Sequence, residues 1–231
     1  MGSTSLTKRW QIKICIDGII GVGKSTLVRK LAKDYTCFEE PVDRWTLLPY
    51  FYRDPEKYGV ALQLQILLTQ FDQLQIFKNI NDVIIVERCP WTSKNVFGSL
   101  AIPDKFKKVY DELYNSLAYD IDFVIYLRMD PKEAHRRIRE RGDESISYDY
   151  LVKLHEKYES LYSEREGVHV VDASQSRENI EDSVRRIIES IIDNTEDEMS
   201  DDEPEYLPSS IDSEIEDSKS DDGNTPIDTV S

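Results

Sequence analysis

The chain has 231 residues, 39% of them hydrophobic and 32% charged, with a formal net charge of −16; this length and apolar content suit one sizeable α/β domain. Residues 193–231 hold 15 Asp/Glu and one Lys, so residues 1–192, with 30 acidic and 28 basic side chains, are nearly neutral and the C-terminal segment is a polyanion. The balance excludes a basic nucleic-acid-binding surface; Cys15, Cys37 and Cys89, with no C-x-x-C pair, exclude a disulfide framework or zinc site and fit a reducing compartment; no apolar run is long enough to cross a membrane.

Residues 1–10 read as a flexible polar leader. They lack a signal-peptide core, and Leu6 stands where a myristoylation motif requires Ser or Thr, so a cytoplasmic location is expected. Residues 12–16, alternating and β-branched, predict a strand, and residues 26–33 a helix. Between them Gly18, Ile19, Ile20, Gly21, Val22, Gly23, Lys24 and Ser25 match the phosphate-binding loop G-x-x-x-x-G-K-[ST] in full. A glycine-rich turn between strand and helix points backbone N–H groups into one concavity. The helix N-terminus, opening at Thr26, adds partial positive charge there. Lys24 has the reach for β- and γ-phosphates, and the Ser25 hydroxyl can ligate Mg²⁺. The chain is therefore expected to bind a nucleoside triphosphate.

Further strands are predicted at 36–39, 83–86, 123–127 and 168–171, and helices at 60–80, 104–117, 131–141, 147–163 and 177–192. The helix at 60–80 carries Leu64, Leu67, Leu68, Phe71, Leu74 and Phe77 as an apolar stripe. Strands alternating with helices imply a parallel sheet covered on both faces, with nucleotide at the carboxyl ends of the strands. The expected fold class is α/β, a three-layer fold of the P-loop NTPase type around a central parallel five-stranded sheet. After residue 192 the apolar pattern stops and like charge accumulates, so 193–231 is expected to be a disordered acidic tail. A solvating tail, a segment that docks a partner and a phosphorylation site all fit that composition. The organisation is a leader at 1–10, one domain at 11–192 and the tail at 193–231.

Three further segments add chemistry. Glu40-Pro41-Val42-Asp43-Arg44-Trp45 begins at the end of a strand that should lie beside the phosphate loop. A carboxylate at Glu40 can take the proton from an attacking hydroxyl, and Trp45 can stack on a base. Asp54-Pro55 precedes Gln63, near the start of the long helix. One carboxamide offers a donor and an acceptor side by side, a match for N3 and O4 of thymine or, flipped, for N3 and N4 of cytosine. Glu87-Arg88-Cys89 closes the strand at 83–86, where buried charges are costly unless paired or used.

In this order and spacing, the segments resemble the deoxynucleoside kinase family, P-loop enzymes that phosphorylate the 5′-hydroxyl of deoxyribonucleosides in nucleotide salvage. The resemblance covers about 11–192. It implies ATP and Mg²⁺ as co-substrate and cofactor, a deoxynucleoside substrate, and a homodimer joined through long helices. It makes Glu40 the catalytic base and Gln63 the reader of the base edge. Tyr52 matches the tyrosine that bonds the sugar 3′-hydroxyl, and Phe97 the aromatic ring on the far side of the base. Glu87 matches the carboxylate that helps hold Mg²⁺, and Arg88 the arginine that reaches the 5′-hydroxyl and steadies the catalytic Glu. The run 136–142 resembles a helical lid, with Arg137 and Arg141 closing over ATP. The lid is shorter here than the family pattern, and Glu144 is the candidate for a 3′-hydroxyl contact. Cys89 stands where many relatives have Ser. Ser93 and Gln70 stand where relatives preferring deoxycytidine or purines carry an Asp–Arg pair, so the pocket leans toward pyrimidines, thymidine first.

Three rivals are weaker. A thymidylate-type monophosphate kinase must bind a second phosphate, and Arg44 is the only basic residue close to Glu40 in the sequence. A guanine-nucleotide switch needs N-K-x-D, which is absent. A silent nucleotide-binding scaffold has no use for an intact set of Lys24, Ser25, Glu40, Glu87 and Arg88.

Overall fold

The computed structural model describes residues 11–142, 145–163 and 165–200. Five parallel strands form one sheet in the order β2-β3-β1-β4-β5. They are β1 (Ile12–Asp17), β2 (Thr36–Phe38), β3 (Val83–Glu87), β4 (Phe123–Arg128) and β5 (Val168–Asp172). β1 pairs with β3 from Ile12↔Val83 to Ile16↔Glu87 and with β4 from Ile14↔Phe123 to Asp17↔Tyr126. The central strands read as continuous apolar runs because helices cover both faces. Ile14, Cys15, Ile16, Ile84, Ile85, Val86, Val124 and Ile125 are wholly buried, each large aliphatic side chain contributing about 1.5–3 kcal/mol of burial.

The helices are α1 (Lys24–Leu31), α2 (Leu48–Arg53), α3 (Pro55–Phe77), α4 (Pro90–Thr92), α5 (Ser99–Ala101), α6 (Asp104–Leu117), α7 (Pro131–Glu140), α8 (Tyr148–Tyr162) and α9 (Arg177–Ser200). Every expected strand and helix is present, with shifted ends. The long helix begins at Pro55 rather than 60, because Asp54 caps it, its carboxylate accepting from Lys57 N at 3.1 Å, with Pro55 pre-set at the first helical position. Its stripe is only partly internal: Leu67 and Phe77 are buried and Leu68 is exposed. Gln63 and Gln70 share the buried face with Leu67 and Phe77, and Thr69 is buried on the side next to it. Two helical stretches had no sequence signal, α2 and the segment from α4 through a wide π-turn at Ser93–Gly98 to α5.

The last helix, expected to end at 192, runs further. α9 is anchored by Ile180, Val184, Ile188 and Ile191 and continues to Ser200. Extending a formed helix adds one hydrogen bond per residue without a new nucleus, so it outruns its last apolar contact. Residues 1–10 and 201–231, where the leader and most of the tail were expected, lie outside the described residues.

Gly59 is where α3 meets α5. A Cβ there would lie 2.5 Å from the Ala101 carbonyl oxygen. Gly59→Ala gains about 1 kcal/mol of helix propensity but forces two backbones apart, so a net loss of about 1–3 kcal/mol is expected. Urea unfolding measures this; a variant more stable than the parent would show that the two helices do not approach so closely.

Candidate active site

The ends of β1, β2 and β3 open on one side of the sheet, and the loops that follow them bring the chemistry together. The phosphate loop leaves β1 through Gly18 at φ +147, where a Cβ would strike the Leu127 carbonyl oxygen at 2.6 Å. Ile19 and Val22 anchor the loop in the core, with Ile20 packed at its edge. Gly21, Val22, Gly23 and Thr26 line a cavity of about 400 Å³ with Arg137 and Arg141. The loop and the lid arginines expected to enclose ATP therefore share one space. Arg137 is held by Glu133 at 2.8 Å, and Arg141 follows the last turn of α7.

Lys24 is buried, and its ammonium donates to the carbonyls of Gly18 at 3.1 Å and Ile19 at 3.3 Å. Burial, with Arg88 nearby, lowers its pKa. Ser25 Oγ donates to Glu87 Oε1 at 2.8 Å, and the other Glu87 oxygen accepts from the Glu40 backbone N–H at 3.4 Å. Glu87 thus ties the phosphate loop to the loop after β2. Glu40 lies two residues past the end of that strand and accepts a hydrogen bond from Arg88 Nε. Burial raises the Glu40 pKa above its ordinary 4.5, against the pull of Arg88 and Lys24.

Arg88 has φ +61, the one non-glycine residue with positive φ among the described residues. That conformation turns its side chain back over the end of β1. Nη1 donates to Tyr158 Oη and, at 3.4 Å, to Asp17 Oδ1; the guanidinium carbon lies 4.3 Å from the Phe97 ring centre. Burial opposes the charge, but Glu40, Tyr158 and Asp17 outweigh it and raise its pKa further.

Trp45 packs with Phe51, Leu62 and Ile66 and donates its indole N–H to Thr69 Oγ1 at 3.0 Å. Gln63 and Gln70, two turns apart on α3, each bury an Oε1 with no hydrogen-bond partner among the described residues. Gln70 Nε2 donates to Ser93 Oγ at 3.0 Å. Tyr52 lines a separate cavity of about 280 Å³ with Phe51, Pro55 and Tyr150. Glu144 lies outside the described residues. The sequence reading missed Asp17, Tyr158 and Tyr162. The signal was an acid ending an otherwise apolar central strand, and two tyrosines one helical turn apart.

The arrangement is that of a phosphoryl-transfer site, and comparison with known proteins agrees. The model of the deoxynucleoside kinase family matches residues 14–196. The chain belongs to the deoxynucleoside kinase family. It is 42% identical over 190 residues to "Putative kinase protein 143R" of Invertebrate iridescent virus 6, covering 78% of this kinase and 97% of the relative. It is 34% identical over 198 residues to a thymidine kinase of Ictalurid herpesvirus 1 (strain Auburn), covering 75% and 84%. The structure of a deoxyadenosine kinase from M. mycoides with bound dATP superimposes with a TM-score of 0.66 at 29% identity, covering 77% of this kinase and 99% of that chain.

The raised Glu40 pKa sets a pH dependence. In the role expected of Glu40, a base acts only as its carboxylate, so activity would be complete above the raised pKa and lost as pH falls through it. The acid limb of the kcat/KM profile is expected to have its midpoint above 4.5. A midpoint at or below that value would remove Glu40 as the group responsible.

Proposed function

We propose that the kinase transfers the γ-phosphoryl group of ATP to the 5′-hydroxyl of a deoxyribonucleoside, pyrimidines preferred and thymidine first, in nucleotide salvage. The observation that carries the reading is Glu40: a largely buried carboxylate of raised pKa, held by Arg88 and joined through Glu87 to Ser25 of the phosphate loop. Glu40 accepts the hydroxyl proton. The freed oxygen attacks the γ-phosphorus, and ADP leaves. Lys24, Arg88, Arg137 and Arg141 neutralise charge spreading over the transferred group.

Ser25 Oγ and the Glu87 carboxylate present hard oxygen donors close together, which fits Mg²⁺. When bound there, the ion would supply positive charge against the phosphates of the nucleotide. A monophosphate kinase needs a cation for a second phosphate. Arg44 is instead ion-paired with Asp72, both half-exposed.

On the base side, Gln63, Trp45 and Phe97 would hold the ring, with Tyr52 and Glu144 on the sugar. The absence of charge at Gln70 and Ser93 supports a pyrimidine. One observation favours deoxycytidine as well: the unpartnered Oε1 of Gln70 can accept from an exocyclic amine. Because the Ser93 hydroxyl both donates and accepts, the Gln70 amide can turn and offer its NH₂ to a thymine carbonyl instead. Glu40→Gln is expected to lower kcat by about 10²–10⁴-fold with ATP binding retained. The assay compares thymidine, deoxycytidine, deoxyadenosine, deoxyguanosine and thymidylate. Turnover of thymidylate alone, or full activity of Glu40→Gln, would overturn the assignment.

The kinase is also proposed to be a homodimer. Phe106, Val109 and Leu113, at i, i+3 and i+7, leave an apolar face of α6 exposed, and Leu68 and Ile76 do the same on α3. Val109→Glu is expected to convert the species seen by sedimentation from dimer to monomer; an unchanged mass would move the interface elsewhere.

A further inference from the structure

Asp17 is a fully buried carboxylate that the reaction above does not use. It ends β1 and is saturated with donors. The Gly18 backbone N–H donates to Oδ1 at 2.7 Å, Tyr158 Oη to the same oxygen at 2.8 Å, Tyr162 Oη to Oδ2 at 2.7 Å, and Arg88 Nη1 to Oδ1 at 3.4 Å. Tyr158 also accepts from Arg88 Nη1, so phenol, carboxylate and guanidinium close a triangle. Tyr162 is tied a second way, to Thr92 Oγ1 at 3.0 Å.

We propose that Asp17 is a positioning residue for phosphoryl transfer: with Tyr158 it holds one arm of the Arg88 guanidinium, so that a single N–H reaches Glu40 and another faces the reaction. The inference rests on the kinase reading of the site. An arginine beside one carboxylate prefers a two-pronged grip that satisfies both oxygens. Such a grip here would immobilise the base and spend the donors wanted by the phosphoryl group. Asp17 and Tyr158 take Nη1, Nε goes to Glu40, and Nη2 makes no hydrogen bond among the described residues. The division also fixes which face of the guanidinium lies over Phe97. Tyr158 and Tyr162 sit at the far end of α8, so Asp17 docks that helix onto the strand that launches the phosphate loop.

The test uses the full chain with Asp17→Asn, Tyr158→Phe and Tyr162→Phe. Asp17→Asn keeps the shape and one acceptor but removes the charge that holds Nη1. Its kcat is expected to fall about 100-fold, as for a misplaced catalytic group. Its nucleoside KM and ATP Kd should stay within about threefold, a shift too small for lost ground-state binding. Tyr158→Phe, which touches both Asp17 and Arg88, should lower kcat about fivefold, and Tyr162→Phe, which touches Asp17 and Thr92 but not Arg88, less than twofold. A merely structural Asp17 would lower the melting temperature in all three and leave kcat alone. Should Asp17→Asn not fold, equal kcat values for the two phenylalanine variants overturn the proposal. The ¹⁵Nε–H resonance of Arg88, read by NMR in the same samples, is sharp in the parent and broadened in Asp17→Asn or Tyr158→Phe if the clamp exists. An unchanged resonance overturns it whatever the turnover. Lack of deoxynucleoside turnover by the parent counts against the kinase reading instead.

Discussion

Five ionisable side chains, Asp17, Lys24, Glu40, Glu87 and Arg88, meet almost out of solvent where three strands end, and the rest of the site depends on how they are paired. A buried charge left without a partner costs several kcal/mol. Two cations among three carboxylates cannot be matched one to one, so the pairs are shared unevenly. Arg88 spans Glu40 and Asp17, while Lys24 is drawn onto loop carbonyls and Glu87 takes neutral donors from Ser25 and the Glu40 backbone. The excess of negative charge at the loop mouth is a physical reason for a divalent cation to settle beside Glu87. Burial, with Glu87 adding to it, keeps Glu40 a stronger base than a surface glutamate.

Backbone geometry makes that pairing possible. β3 would carry Arg88 straight on, away from β1, if its φ were ordinary. At +61 the chain folds back, the Arg88 N–H bonds the Ile16 carbonyl at 3.1 Å, and the side chain lies across the end of the neighbouring strand. A left-handed non-glycine residue costs about 1–2 kcal/mol. The two ion pairs and the Phe97 ring offset it. The π-turn at Ser93–Gly98 serves the same end, since its wider coil carries both Ser93, facing Gln70, and Phe97, under Arg88.

The phosphate loop and the five strands were legible in the sequence because each follows a short-range rule, a glycine spacing or an apolar run; the pairing of Glu40 with Arg88, 48 positions apart, came only from the family resemblance. Asp17 obeys no such rule. Its meaning comes from Tyr158 and Tyr162, more than 140 positions away, which show only as part of a helical stripe. The π-turn was hidden for a related reason, since its sequence, SKNVFG, has no strong helical period and is shaped by what it packs against. The end of α9 was misjudged because apolar periodicity marks where a helix is buried, not where its hydrogen bonding stops.

Lys24 completes the argument. Its ammonium is held by two neutral carbonyls of the loop it is expected to serve, and burial weakens its hold on its proton. These bonds keep the loop in a phosphate-ready shape before any phosphate is present, lowering the ordering cost at binding. An anionic phosphate oxygen is a better acceptor than a carbonyl, by about a factor of two in strength for charge-assisted bonds. Exchange of partners is therefore favourable, and the incoming charge reverses the depression of the Lys24 pKa. Arg88 differs, since Nη2 makes no hydrogen bond among the described residues and has no partner to exchange. On the proposed reading both cations meet the transferred phosphoryl group, Lys24 by giving up its loop carbonyls and Arg88 through a donor that has none to give up.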